Sequence, residues 1–213
     1  MAIKIDVSFD NGNIVDKCNN IWLSTGNVAI STRNTKWHNE SMKGNPQTNL
    51  HTNTPINLDF GTGDFTVEAW VFSASKDQNG AVLQISDKFG GLKNSSTQSI
   101  ALGGYYNHIN DTYFTESEQP ENSWSHKAIV RFNGVFYCYI NGRIIYTEID
   151  TGVNYNVKYA VIGNYYDNNY AWNGYIDSVR VANHAIYKSN FTPTKLVDTK
   201  HLFIAQDKKV YSA

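Results

Sequence analysis

Residues 124–149 read WSHKAIVRFNGVFYCYINGRIIYTEI. Two Asn-Gly pairs, Asn133-Gly134 and Asn141-Gly142, cut this stretch into three segments rich in aromatic and β-branched residues: KAIVRF, VFYCYI and RIIYTEI. Asn and Gly both tolerate φ > 0, which the two central positions of a type I′ turn require, and the twist of that turn matches the strands it joins. The stretch is therefore expected to form an antiparallel meander of three strands spaced by roughly eight residues, a pattern of sandwiches and barrels rather than βαβ units.

Other segments extend the pattern. IKIDVSF at 3–9 alternates apolar and polar residues and reads as the first strand. DNGNIVDKCNN at 10–20 is turn chemistry. In FTVEAWVF, Phe65, Val67, Ala69 and Val71 share one face, with Thr66, Glu68, Trp70 and Phe72 on the other. Both faces are largely apolar, which marks a strand central to the packing. Further strands are expected within 22–30, AVLQISD (81–87), SIALGGYY (99–106), YAVIGNYY (159–166) and WNGYIDSVRVAN (172–183). Residues 31–57 read as a long polar connection carrying short strands, 107–123 as a loop that could hold a short edge strand, and the region near Ala185 as a short helical turn. The tail HLFIAQDKKVYSA could add a last strand. With no long helix, repeat or linker in the pattern, a single domain over 1–213 is expected.

The 18 basic and 19 acidic side chains give a net charge of -1 with no basic cluster, which argues against a nucleic-acid partner. No apolar run reaches the roughly 18 residues of a membrane helix. The start, MAIKIDVSFDNG, lacks the basic and apolar regions of a secretion signal, so synthesis and folding in a cytoplasm are expected. Cys18 and Cys138 lack partners at metal-ligand spacing, and Cys138 reads as a small buried hydrophobe. The 14 Tyr and 5 Trp, with abundant Asn, suit pleated strands joined by Tyr- and Asn-rich loops. They also suit sugar recognition, in which ring faces pack on pyranose C–H groups while amides bond hydroxyls.

Two loops concentrate that chemistry. In NYYDNNYAW at 164–172, Tyr165, Tyr166, Asn168, Tyr170 and Trp172 offer rigid contact area beside bonding groups. A second cluster, Tyr105, Tyr106 and His108, lies in GGYYNH. Together they are the candidate ligand-binding residues, for a glycan or a protein partner. The alternative is that Trp172 and some Tyr cap the core while the Asn side chains satisfy turns.

Phe9-Asp10-Asn11, FGTGDFTVEAWVF at 60–72, the Trp124–Ile145 stretch, VIGN at 161–164 and GYIDSVRVANHAIYKSNFTPT at 174–194 follow one another in a familiar order. In these phrases the chain resembles laminin-G-like, concanavalin A-like jelly rolls of the pentraxin-like subgroup, over residues 5–194, with the tail 195–213 outside. The last phrase resembles versions found in bacteriophage virion proteins. The resemblance implies an all-β, antiparallel two-sheet jelly-roll sandwich. It further implies a structural Ca²⁺ held by Asp10, near Asn11 and Asp16, together with Asp177. The alternative is that Asp10 and Asp16 form turns while Asp177 bonds backbone N–H groups.

β-Glucanases share this jelly roll, and their retaining chemistry needs two carboxyl groups about 5 Å apart. Glu148-Ile149-Asp150 lacks the second Glu of an alternating acidic triplet, and Glu68 stands alone. The six His show no zinc-type spacing, and no Ser sits in a nucleophile elbow. A non-catalytic protein is expected. By the resemblance it would be a multi-copy decoration, fibre or tail-associated component of a virion, made in the host cytoplasm, with other virion proteins and surface or mucus glycans as partners. The competing readings are a purely architectural virion protein whose aromatic loops dock on a neighbour, and a lectin-like module or glycoside hydrolase of a bacterial cytoplasm or cell surface.

Overall fold

The computed structural model describes residues 1–75, 80–85, 91–93, 101–102, 121–149, 152, 154–165 and 168–196. Its strands are β1 (Ile3–Asp10), β2 (Asn13–Asp16), β3 (Trp22–Thr25), β4 (Ala29–Ser31), β5 (Ser41–Lys43), β6 (Asn49–Thr52), β7 (Leu58–Gly61) and β8 (Phe65–Ser73). There follow β9 (Ala81–Gln84), β10 (Gly91–Lys93), β11 (Ala101–Leu102), β12 (Ser123–Phe132), β13 (Val135–Ile140), β14 (Arg143–Ile149), β15 (Tyr155–Val157), β16 (Val161–Ile162) and β17 (Gly174–Ala182). Among the described residues there is no helix, and all strand pairs within the sheets are antiparallel.

The meander forms as its turns dictate. Asn133 and Gly134 have φ of 51° and 73°, and Asn141 and Gly142 have 50° and 76°. Phe132 pairs with Val135 and Ile140 with Arg143, so both loops have two residues. A third Asn-Gly turn, Asn11-Gly12 at 52° and 71°, closes the β1–β2 hairpin, so half of the stretch expected to be all turn is strand. Asn13–Asp16 carries just one apolar pair, too little alternation to stand out in the sequence.

The larger sheet runs β14-β13-β12-β8-β17-β1-β2, with β5 beside the start of β17 and β4 beside β5. The second runs β11-β10-β9-β16-β6-β3. Between them lies one apolar core. Phe9, Phe65, Val67, Val71, Ile129, Phe136, Ile176, Val179 and Val181 come from the first sheet, and Leu50, Leu83 and Ile162 from the second. This is the two-sheet jelly-roll sandwich, with the core between inward faces that alternate along each strand. The polar 42–55 stretch joins it through Met42 and Leu50, both fully buried. Cys138 is buried, and among the described residues no disulfide forms.

The region near Ala185 departs from expectation. Residues 183–196 form an irregular, bent strap across the outer face of the larger sheet, not a helical turn. Its backbone groups bond the sheet. Ile186 N–H donates to Thr66 Oγ1, Thr66 Oγ1 donates to the His184 carbonyl, and Phe191 N–H donates to the Gly142 carbonyl. Trp70 Nε1 donates to the Thr194 carbonyl. Tyr187 and Phe191 stack, 3.5 Å between centroids, over a second apolar cluster of Ala128, Val130 and Tyr139. Gly142 admits this approach, because a Cβ there would lie 2.0 Å from the Phe191 carbonyl oxygen.

Candidate functional site

The 164–172 loop is built around buried amides. Asn164 is fully buried; its Oδ1 accepts the N–H groups of Tyr165 and Tyr170, and its Nδ2 points at the Pro46 and Thr48 carbonyls. Asn168, at φ 60°, accepts from Asn49 Nδ2 at 2.8 Å. Tyr165 is 5% exposed, and its ring lies 4.7 Å from that of the half-buried Tyr170. Trp172 is 1% exposed; it packs in the main core and donates from Nε1 to the Phe72 carbonyl. Buried Lys127 sits with Nζ 5.4 Å from the Trp172 ring, and burial lowers its pKa to about 7. Trp172 and Tyr165 thus take the core-capping role that the sequence left open, because the chain returns here from β16 to β17 across the end of the sandwich. Tyr166, Tyr105, Tyr106 and His108 lie outside the described residues.

The acidic residues divide likewise. Asp16 organises a turn, accepting from the N–H groups of Asp6 and Cys18, from Asn20 Nδ2 and from Trp22 Nε1. Asp10, half-buried at the end of β1, lies 3.5 Å from Asn39 Nδ2. Asp177 is fully buried and occupies a bulge: Ile176 pairs with Val71 and Ser178 with Trp70, which leaves Asp177 as the extra residue. Its Oδ2 faces the N–H groups of Lys36, Trp37 and His38, and its Oδ1 meets His38 Nδ1 and the Ser178 hydroxyl. Five donors on a carboxylate with about four lone-pair sites leave little room for a cation. Among the described residues no group of three or more His, Cys, Asp or Glu could hold a metal.

What Asp177 does hold is the loop at 36–38, and that loop extends an aromatic surface. On the outer face of the larger sheet, Trp124, Phe72 and Tyr175 occupy one cross-strand row on β12, β8 and β17. All three are half-buried, with ring centroids 5.9 Å apart at each step and edge-to-face geometry. Lys43 of β5 continues the row beside Tyr175 and is exposed. One step along β8, Trp70 is 5% exposed beneath Trp37, which is 36% exposed, with centroids 5.5 Å apart. Lys36 Nζ lies 4.7 Å from the Trp70 ring and 5.2 Å from the Trp37 ring. Sequence reasoning passed over this row because FTVEAWVF looked buried on both sides. The available signal was the lone Trp37 in a polar stretch, opposite a strand with two outward aromatics.

Further along the same face the strap seals a charged cluster. Glu68 is fully buried, with Arg180 Nε 2.6 Å from Oε1, and the Tyr187 hydroxyl and His126 Nε2 each 2.9 Å from Oε2. Burial alone raises the Glu68 pKa, but Arg180 and His126 outweigh it and bring it down to about 2. For Arg180, burial lowers the pKa and the Glu68 charge more than restores it. Glu148, on the edge strand β14, accepts from the Tyr146 hydroxyl at 3.2 Å.

The same sandwich recurs in solved structures. One is domain 4 of AbnA, a GH43 extracellular arabinanase from Geobacillus stearothermophilus, in complex with arabinotriose (18% identity, 87% of this chain, 94% of that chain, TM-score 0.62). Others are the botulinum neurotoxin serotype G binding domain (11%, 87%, 49%, TM-score 0.55) and the botulinum neurotoxin DC binding domain in complex with SialylT (13%, 95%, 50%, TM-score 0.59). The chain spans about half the length of these toxin binding domains. No curated protein matches the sequence. A family profile matches residues 43–190, a span that takes in Lys43 at the end of β5, the aromatic row and most of the strap. By that match the chain belongs to the concanavalin A-like lectin/glucanases superfamily, as a laminin-G-like jelly roll.

Proposed function

We propose that the protein is a non-catalytic glycan-binding module that uses the outward row Trp124–Phe72–Tyr175 as its platform. The observation that carries this reading is the row itself: three half-buried aromatic rings in register on adjacent strands, a contiguous apolar surface of a kind that marks contact sites. Neighbouring strands are spaced about 4.8 Å, so the row spans about 10 Å, longer than one pyranose ring. The C–H faces of a sugar pack against such rings, whose faces carry partial negative charge. Of the carboxylates weighed for hydrolysis, Glu68 is committed to Arg180 and Tyr187 and Glu148 to Tyr146, and Asp150 lies outside the described residues.

The setting proposed is the surface of a bacteriophage particle, on the strength of the GYIDSVRVANHAIYKSNFTPT resemblance. There many copies would share one glycan-coated surface. The alternative is architectural, with the same row covered by a neighbouring virion protein. A glycan array probed with the multimerised protein, covering bacterial polysaccharides and host mucins, tests the first reading. Binding that falls at least tenfold in Trp124→Ala and Phe72→Ala supports it. Silence across both panels, together with a particle map showing the row buried under a neighbour, replaces it with the second.

A further inference from the structure

Two lysines flank the aromatic platform on the same side. Lys43 stands directly beside Tyr175 in the cross-strand row. Lys36 is held over the Trp37 and Trp70 rings, 5.2 and 4.7 Å from their centroids, by a loop whose backbone is pinned to Asp177. Both lysines are exposed, and among the described residues neither pairs with a carboxylate. The acids nearest to them have partners of their own. Asp177 is saturated by donors, Glu68 is sealed under the strap with Arg180, and half-buried Glu40, between the two lysines in sequence, accepts the Gly12 N–H at 2.6 Å. Lys195 adds a third cation to the same side, bonded to the Trp37 carbonyl.

We propose, building on the glycan reading, that the platform selects acidic saccharides, with sugar rings on Trp124–Phe72–Tyr175 and a sugar carboxylate between Lys36 and Lys43. Among the described residues, Lys36, Lys43 and Lys195 gather at the β17–β5 end of the row. A bound chain is therefore oriented, with its carboxylate toward Tyr175. A cation over two indoles is already positioned, which lowers the ordering cost of meeting an anion. Because both lysines face solvent, the preference weakens with salt.

The test compares matched pairs differing only in charge: oligogalacturonate against its methyl ester, and sialyllactose against lactose. Binding of the multimerised full chain is read by biolayer interferometry at low and high salt. The acidic member of at least one pair is expected to bind ten or more times tighter, which also tells a uronic from a sialic acid source. Lys36→Gln with Lys43→Gln should remove most of that preference, read as the ratio of affinities within the pair, whereas Trp124→Ala should weaken both members. Equal affinity within both pairs, or a preference that survives the double lysine change, overturns the acidic selection while leaving glycan binding intact. Absence of binding to every probe and to a neutral polysaccharide panel removes the glycan reading itself, and this inference with it.

Discussion

Glu68 is a charged group with no solvent contact, and its surroundings explain why it stays charged. Arg180, the Tyr187 hydroxyl and His126 occupy its oxygens, and together they outweigh the desolvation that would otherwise protonate it. Removing one member of such a buried set leaves the other uncompensated, which costs about 3–5 kcal/mol. Glu68→Gln should therefore lower unfolding stability by about that amount, read as the denaturant midpoint at constant slope. Loss of less than about 1 kcal/mol would show that Arg180 finds another partner. The pH dependence has a definite sign. The folded carboxyl titrates near 2, below its ordinary value of 4.5, so the folded state binds fewer protons than the unfolded one between those values. Its contribution of about 3 kcal/mol is present above pH 4.5 and is lost as pH falls toward 2. Acid unfolding of Glu68→Gln should lack that part of the slope. Read as a letter in FTVEAWVF, Glu68 shows only that it has no acidic partner at catalytic spacing. Its cationic partner lies 112 residues away and could not be inferred from local pattern.

At the level of elements, what was legible depended on how far away the backbone partners lie. The Asn-Gly meander could be read because turn chemistry and alternation act within a few residues, and both turns have the φ signs that Asn and Gly permit. The strap at 183–196 and the loop at 36–38 could not, because their backbone bonds reach Thr66, Gly142 and Asp177 across the molecule. Asp177 was singled out in the sequence for a cation, yet its bulge aims the carboxylate at three successive N–H groups of the loop. That gives the loop a specific dependence. Asp177→Asn replaces one acceptor oxygen with an amide that cannot accept, so either His38 or the backbone of 36–38 loses its partner. Trp37 should then separate from Trp70. The expected readout is a red-shifted, more easily quenched Trp fluorescence and glycan affinity reduced about fivefold to tenfold, about 1–1.4 kcal/mol. The core hydrogen-exchange pattern should stay unchanged. An unaltered emission spectrum in a folded Asp177→Asn protein would mean that the loop is held by Lys195 and aromatic packing alone.

For the molecule as a whole, the platform exists only because the sandwich brings three distant positions into register. Phe72, Trp124 and Tyr175 come from separate parts of the chain, and no window of sequence contains two of them. The loop at 164–172 drew attention instead because its aromatics are contiguous, yet contiguity there reflects the closing of a core: Trp172 and Tyr165 point inward and the Asn side chains hold the turn. Among the described residues the row lies on the outer face of the larger sheet, away from the core between the layers. A site of three rings on a sheet face, flanked by lysines, gives one domain modest affinity, since it buries little of a ligand. Useful adhesion then requires many copies facing one surface. Linking copies converts later contacts into intramolecular ones and raises apparent affinity by roughly 10²–10⁴-fold when geometry allows. The monomer and a multimer of the same chain, measured on one glycan-coated sensor, should differ by that margin. The difference should appear mainly in dissociation rate, and it should collapse at sparse glycan density. A monomer that binds as tightly as the multimer at every density would point to a deeper site than this row, completed by residues beyond those described.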